Sequence, residues 1–221
     1  MTESERQLQE MALSIQAARQ QAGCRAAVTA PPAAADTIPN LGGEARAGDC
    51  LVSMLASGSK GNAAYIRCGK TNILIDAGIS CRRIEQGLNR YGCALGDLDA
   101  VFITHEHSDH VNGLATLLKR TDMPVYTTAE TWQAIGRKVE GFQDRFVRLT
   151  RRVGLKDIQV IPFAISHDAV RPVGYTVCHG ESKITLATDL GCVSPDVAAA
   201  AAYADILILE ANHDEGMVRN G

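Results

Sequence analysis

The stretch THEHSDH, residues 104–110, is the part of this chain that indicates its fold and chemistry. It contains three of the six histidines and directly follows an apolar run. A strand that ends there points His105 and His107 to one side, because alternate residues of a strand share a face. Asp109 and His110 then begin a helix with an apolar stripe. Imidazole and carboxylate donors together suit zinc or another first-row divalent ion, so the pattern predicts a metal site. The alternative is a histidine-rich surface turn.

The composition is that of an ordinary globular protein. The 221 residues are 46% hydrophobic and 21% charged, with a formal net charge of −3. This balance neither requires nor excludes a nucleic-acid partner. No apolar stretch approaches the roughly 20 residues of a membrane span. We therefore expect no membrane association.

The cysteine pattern bears on the cellular compartment. Seven cysteines are scattered along the chain without a C-x-x-C pair, and the first 20 residues are too polar and too acidic for a secretory or transit sequence. The pattern predicts reduced thiols in a cytoplasmic protein.

A composition shift divides the chain into two regions. Residues 22–47 are rich in Ala, Gly and Pro, and no aromatic residue occurs before Tyr65. Residues 1–47 are predicted to be a mobile, low-complexity extension, either inert or partner-binding. Residues 48–221 are predicted to form the folded domain.

The folded region is predicted to open with three strands and then to alternate strands with helices. Predicted strands cover residues 51–56, 63–67, 72–76, 98–104, a short segment from 124, 158–165, 183–188 and 206–209. Predicted helices cover residues 80–90, 111–120, 128–138 and a segment that begins after the N-cap Ser194. Residues 206–209 are all apolar, which predicts a strand buried on both faces. Periodicity alone indicates only a mixed α and β fold.

Further motifs occur in order around residues 104–110. They are ASGSKGN at 56–62, LIDAG at 74–78, HD at 167–168, ATDLG at 187–191 and EANHD at 210–214. Together they resemble the metallo-β-lactamase-fold hydrolases, whose signature is H-x-H-x-D-H, and within them the YycJ-like branch, bacterial proteins regarded as DNA exonucleases.

The resemblance covers roughly residue 50 to the end and implies an α+β fold. That fold is the metallo-β-lactamase-like αββα sandwich, with two sheets face to face and helices outside. The family continues past the Asn-His-Asp motif with further histidine motifs. We therefore expect this chain to be incomplete, with the C-terminal part of the sandwich missing.

The resemblance also implies a ligand set. The implied ligands are His105, His107 and His167 for one ion, Asp109 and His110 for a second, and Asp189 as the bridge. The implied cofactors are two divalent ions, zinc or manganese, with a bridging hydroxide as nucleophile and Asp109 and Asp189 as the catalytic carboxylates. Asp76 is implied to brace the metal-binding loop. Because the family's last ligand to the second ion lies in a later motif, we expect weaker binding of that ion here.

Substrate contacts are predicted at four residues. One glycine-containing turn contains Ser57, Ser59 and Asn62, and its amides and hydroxyls could contact a phosphate. An ordinary hairpin turn has the same sequence features, so both interpretations are open. His213 follows a strand end, where a leaving-group contact and a plain surface position are both open.

A basic run supplies the remaining functional signal. Residues 137–156 carry a local net charge of +5 and could follow a phosphodiester backbone, although exposed basic segments are common. We expect a metal-dependent phosphodiesterase acting on DNA as an exonuclease. The alternatives are a small-molecule thioester or lactone metallohydrolase and a catalytically incomplete metal-binding fragment. The sequence leaves a homo-oligomer open.

Overall fold

A computed structural model describes residues 50–210 of the chain. The predicted extension 1–47 and its boundary with the folded domain lie outside these residues, as does His213. Within the described part, no helix has the length and apolar character needed to cross a membrane.

Among residues 50–210, the first sheet has six strands in the order β1-β2-β3-β4-β5-β6. They are β1 (Cys50–Ala56), β2 (Ala63–Cys68), β3 (Thr71–Ile75), β4 (Ala100–Phe102), β5 (Val125–Thr127) and β6 (Phe146–Arg148). β1 to β3 are antiparallel, whereas β3 to β6 are parallel. The last residues of β3, β4, β5 and β6 therefore lie at one edge, which we call the carboxyl edge.

The described part of the second sheet has five strands in the order β11-β10-β9-β8-β7. They are β7 (Val153–Leu155), β8 (Ile158–Ala164), β9 (Val173–His179), β10 (Ser182–Ala187) and β11 (Ile206–Leu209). The connection from β8 to β9 reaches the carboxyl edge of the first sheet, because Val173 N donates to Thr104 O at 3.1 Å. The two sheets thus meet where residues 104–110 lie.

Within residues 50–210, five helices complete the layers. They are α1 (Cys81–Asn89), α2 (Ser108–Val111), α3 (Leu114–Leu118), α4 (Ala129–Ile135) and α5 (Pro195–Ala201). One apolar cluster packs the four helices from α1 through α4 on the outer face of the first sheet. A second cluster fills the space between the sheets. A third cluster places Val197 of α5 against the outer face of the second sheet. The order of layers is αββα, as the motifs implied.

The central strands are apolar on both faces, which explains why they lie inside the sandwich. In β3, Leu74 packs against the helices, whereas Ile73 and Ile75 face the second sheet. The predicted helix starts are also confirmed. Ser80 Oγ accepts from Arg83 N at 3.4 Å, and Ser194 accepts similarly at the start of α5. Each such cap stabilises its helix by about 1 kcal/mol.

Two predicted helices are shorter than expected. The prediction of one helix over residues 111–120 is wrong, because the chain turns between α2 and α3. At this turn Gly113 N donates to Ala77 O at 2.7 Å, and a Cβ on Gly113 would collide with Ile79 O. The helix predicted over residues 128–138 ends at Ile135 and continues as a 3₁₀ turn.

Several strand predictions also need correction. β6, β7 and β9 were missed: the first two are three residues long, and β9 begins with Val-Gly and ends with Cys-His. Of the strand predicted over residues 98–104, only Ala100–Phe102 joins the ladder. The prediction that residues 206–209 are buried on both faces is wrong. All four are half-buried, because β11 lies at the edge of the described sheet.

The prediction of reduced thiols is wrong for one pair. Cys50 and Cys68 lie directly opposite each other in β1 and β2 and form a disulfide. Strand register brings them together, and spacing along the sequence does not reveal it. The other described cysteines are free: Cys81, Cys93, Cys178 and Cys192.

Candidate metal centre

Residues 104–110, the metal loop, connect β4 to α2 and are anchored by both sheets. The carbonyl of Ile103 accepts the hydroxyl of Thr127 at 3.1 Å and that of Tyr175, from the second sheet, at 2.7 Å. Burial, and then the charge of Asp76, raise the pKa of Tyr175, so its hydroxyl stays a donor. The backbone that enters the metal loop is therefore fixed from two sides.

Asp76 braces the metal loop as the motifs implied. Its carboxylate accepts from Thr104 N at 2.8 Å, from Thr104 Oγ1 at 2.9 Å and from His110 Nδ1 at 2.7 Å. The Thr104 hydroxyl then accepts from His105 Nδ1 at 2.9 Å. Both imidazoles are thereby oriented with Nε2 toward the site. Asp76 also has a φ of +61°, an uncommon backbone conformation of the kind that collects at functional sites.

The first donor group consists of three imidazoles. His107 Nδ1 lies 3.2 Å from His105 Nε2 and 3.1 Å from His167 Nε2. His167 reaches this place from the connection after β8, whereas the other two lie in the metal loop. Two nitrogens bound to one tetrahedral zinc at about 2.0–2.1 Å are about 3.3 Å apart. The observed separations fit one divalent ion.

The second donor group shares His105 and adds His110 and Asp189, all three buried. Asp189 Oδ2 lies 2.6 Å from His110 Nε2 and 3.9 Å from His105 Nε2. Asp109 Oδ2 is 3.6 Å from His110 Nε2. Asp189 lies two residues after β10 and has a φ of +54°, so a carboxylate that follows a strand again adopts an uncommon backbone conformation. The structure thus brings all six predicted ligands to one place.

The charges around these groups favour a cation. Burial lowers the pKa of His105 to about 2, and it also lowers the pKa of His167. Both imidazoles are therefore neutral and able to bind metal at pH 7. Burial also lowers the pKa of His110, but Asp76 and Asp189 outweigh it and raise the value to about 10. Without an ion the two carboxylates therefore hold a second proton on His110, and a divalent cation bound at this end of the site would displace the proton from Nε2.

Asn62 lies against the predicted ligands. It is buried, and its Nδ2 is 2.9 Å from His110 Nε2 and 3.4 Å from Asp109 Oδ2. Its Oδ1 accepts from Gly58 N at 2.9 Å, which closes the turn after β1. The geometry gives Asn62 contact with the second donor group, and its predicted contact with substrate stays a prediction.

The other predicted substrate residues lie farther out. Ser57 and Ser59 are exposed, and Ser57 Oγ donates to Glu210 Oε2 at 2.9 Å. This bond connects the turn after β1 to the end of β11. His213 lies outside the described residues, so its predicted role is untested.

Sequence reasoning missed Glu106, which links the two segments that supply the imidazoles. Its Oε1 accepts from Val170 N at 2.8 Å, in the same connection as His167. Its Oε2 is buried without a hydrogen-bond partner within residues 50–210. In the signature H-x-H-x-D-H this position is an x, so the motif gave no signal.

Gly78, the glycine of the LIDAG motif, lies where two backbone segments pack closely together. A Cβ on Gly78 would collide with the carbonyl of Asp109. Around this contact, Asn62 N donates to Asp109 O at 2.7 Å and Ala77 N donates to His110 O at 2.8 Å. Helix α2 is thus held directly on the segment after β3, and this contact positions both of its ligand residues.

Comparison with known proteins places the chain in a family. A family model of the beta-lactamase superfamily domain matches residues 71–221. The chain belongs to this superfamily. It is 38% identical over 174 residues to "Exodeoxyribonuclease WalJ" of Streptococcus pneumoniae serotype 2 (strain D39), and that match covers 76% of this chain and 65% of the relative. It is 35% identical over 172 residues to "Exodeoxyribonuclease YycJ" of Bacillus anthracis, with the same coverage. The chain therefore spans about 65% of the length of these curated relatives.

Solved structures confirm the predicted fold. Zn²⁺-bound PqqB from Methylobacterium extorquens matches with a TM-score of 0.59 at 20% identity, covering 72% of this chain and 63% of that one. MEM-A1, a subclass B3 metallo-β-lactamase from a soil metagenome library, matches with a TM-score of 0.54 at 20% identity, covering 68% and 73%. At this identity the likeness shows the fold alone. It is a fold of divalent-metal proteins, and the converging donor groups fit such an ion.

Proposed function

We propose that the chain carries the active site of a metal-dependent phosphodiesterase that degrades DNA as an exonuclease. The observation that carries the proposal is the convergence of two donor groups, sharing His105, at the carboxyl edge. Relatives named exodeoxyribonucleases, at 35–38% identity, support DNA as the substrate.

In the proposed assignment each ligand residue binds one ion, except for Asp189, which is assigned to both ions. His105, His107 and His167 would hold one ion, Asp109 and His110 would hold the second, and Asp189 would be available to both. Zinc or manganese suits this mixture of nitrogen and oxygen donors. When bound, two divalent ions lower the pKa of a water and neutralise charge that develops on phosphorus.

Neighbouring residues of the chain orient the metal-binding atoms and set their protonation. Once a cation had displaced the proton on Nε2, Asp76 would keep the remaining hydrogen of His110 on Nδ1, with Nε2 facing the site. His105 and His167 are neutral at pH 7, so no proton competes with a cation for their nitrogens. The Asn62 amide lies within hydrogen-bonding distance of the Asp109 carboxylate and restrains its orientation.

Degradation of end-labelled DNA by the zinc- or manganese-loaded protein tests the proposal. We expect progressive release of nucleotides from one end of a labelled strand and loss of this activity in His107→Ala. His179→Ala is the matched control, because His179 ends β9 at the opposite edge and contacts Asp157 O. Absence of DNA hydrolysis by the loaded protein, or full activity of His107→Ala, overturns the proposal.

A thioester and a lactone belong in the same assay, because the sequence left a small-molecule hydrolase open. Such a substrate needs a largely apolar pocket beside the ions. Two cavities in the described part, of about 420 and 480 Å³, are lined mainly by polar and charged side chains, including Asp99 and Arg145. Both of these residues precede strands of the first sheet, so the cavities lie away from the carboxyl edge. Because the relatives at 35–38% identity are named exodeoxyribonucleases, we expect much slower turnover of the thioester and the lactone than of DNA.

A further inference from the structure

The structure divides the basic run of residues 137–156 into separate parts. Arg145 is bound to Asp122 at 2.5 Å, and Lys156 is bound to Asp99 at 2.6 Å. Asp99 precedes β4 and Asp122 precedes β5, so both pairs lie toward the edge opposite the metal loop. These two cations are neutralised, and they point away from the site.

Three arginines remain unpaired near the carboxyl edge. Arg148, Arg151 and Arg152 are exposed, and none has a carboxylate partner within residues 50–210. Arg148 pairs in register with Thr127, whose hydroxyl binds the carbonyl of Ile103. Arg148 is thus two strand spacings, about 10 Å, from the backbone that enters the metal loop. The other two follow it in the connection from β6 to β7.

A fourth arginine lies in the connection from β8 to β9, which also carries His167. Arg171 is exposed, and its carbonyl accepts from Thr131 at the start of α4 at 3.5 Å. The preceding residue, Val170, is 61% exposed while its N–H binds Glu106 of the metal loop. The connection that carries His167 therefore presents an apolar side chain and a guanidinium beside the donor groups.

These side chains suit a strand of nucleic acid. Guanidinium groups bind phosphate oxygens with two parallel hydrogen bonds, and an exposed apolar side chain can contact the face of a base. Glu130 and Asp168 are exposed carboxylates on the same rim, and four arginines against these two acids leave it net positive in a chain that is net acidic.

We propose that Arg148, Arg151, Arg152, Arg171 and Val170 form an arginine strip that guides one DNA strand to the metal centre. The strip rests on the proposed function, because it supplies the path along which a DNA substrate reaches the ions. It gives the protein a direction of approach, from the β6 side of the first sheet toward His167.

The test compares two pairs of neutral substitutions that remove the same charge. Arg151→Gln with Arg152→Gln alters the strip. Arg137→Gln with Lys138→Gln is the matched control, because these exposed residues follow α4 as it runs back from the carboxyl edge. Affinity for a fluorescent single-stranded DNA is measured over a range of salt concentrations, with turnover of bis(p-nitrophenyl) phosphate measured alongside.

We expect the strip variant to bind DNA about 25-fold more weakly at 0.1 M salt, since each phosphate contact on a single strand contributes about fivefold relative to 1 M salt. The slope of log affinity against log salt should fall by about 1.4 for the two lost contacts. Turnover of the small phosphodiester should be unchanged, and the control pair should change DNA affinity less than about twofold.

Two outcomes would refute the proposal that the arginine strip binds DNA. One is a strip variant with the affinity and salt slope of the unaltered protein, and the other is an equal loss in the control pair. If the unaltered protein degrades DNA while either outcome is found, only the strip is refuted. If the unaltered protein neither binds nor degrades DNA, the proposed function fails together with the strip.

Discussion

Replacing Asp76 with asparagine should weaken metal binding at His110 while the fold persists. The carboxylate accepts from Thr104 N, Thr104 Oγ1 and His110 Nδ1. The asparagine oxygen can still accept from Thr104, but its NH₂ group then meets the N–H of His110 donor to donor. When His110 carries a single proton, as metal binding requires, the imidazole relieves this conflict by holding that proton on Nε2, the nitrogen that lies 2.6 Å from Asp189 and that a metal needs unprotonated.

The size of the effect follows from the bond that is lost. A hydrogen bond to a charged group contributes about 1.5–3 kcal/mol, which corresponds to about 10- to 150-fold in an equilibrium constant. Removing a hydrogen-bonding partner of a metal-bound histidine typically costs about 10- to 100-fold in metal affinity. We therefore expect a 10- to 100-fold loss at the second donor group and a smaller change at the three-imidazole group, because neither His107 nor His167 contacts Asp76.

Titration with zinc against a chromophoric chelator measures both affinities. Asp99→Asn is the matched control, since Asp99 lies before the opposite end of β4 and accepts from Asn72 N at 3.0 Å. It removes the same charge without touching a donor group. Unchanged zinc affinity in Asp76→Asn, or an equal loss in Asp99→Asn, would refute the bracing argument.

Three further predictions concern the supports of the site and of the fold. Gly78→Ala should lower the thermal unfolding midpoint and weaken metal binding, because its Cβ meets the carbonyl of Asp109; Gly96→Ala, whose Cβ meets open space, should change neither. Glu106→Ala should weaken zinc binding at the three-imidazole group in the chelator titration, and Glu106→Gln should restore most of it, because the amide oxygen can still accept from the neighbouring loop. Asp157 accepts hydrogen bonds from the backbone N–H of Lys70 and from the hydroxyl of Thr71. These bonds, the first above all, lower the pKa of Asp157 from its ordinary 3.8. Asp157→Asn should therefore be less stable than the unaltered protein above about pH 4, with the difference in unfolding free energy lost as the pH falls through the lowered pKa; urea unfolding over pH 2 to 6 measures it, and a pH-independent difference contradicts the argument.

Much of the fold could be predicted because its signals are local. Ser80 and Ser194 mark helix starts by capping, and Ile73 to Ile75 mark a central strand by being apolar on both faces. The missed elements depend on tertiary context instead. β6 and β7 have three residues each, too few for periodicity, and are held by pairing with neighbouring strands.

The candidate site shows the same division. The ligand types and their order could be predicted from the histidine and aspartate motifs, because metal chemistry restricts which side chains serve. The supports could not. Tyr175 reaches Ile103 from the other sheet, and Glu106 reaches Val170 across 64 positions of sequence, so only the folded chain shows them. The break at Gly113 likewise reflects packing against residue 79 and not local propensity.

The metal content of the purified protein tests the central claim most directly. The protein and His107→Ala are loaded with zinc or manganese, desalted and analysed by mass spectrometry of the elements. His107 precedes α2, and its side chain makes no capping hydrogen bond, so alanine should leave the fold and its circular dichroism unchanged. We expect tightly bound divalent metal in the unaltered protein and loss of the ion held by the three-imidazole group in His107→Ala. An unaltered protein with no divalent ion above background, or a variant that retains its full metal content, would contradict the account.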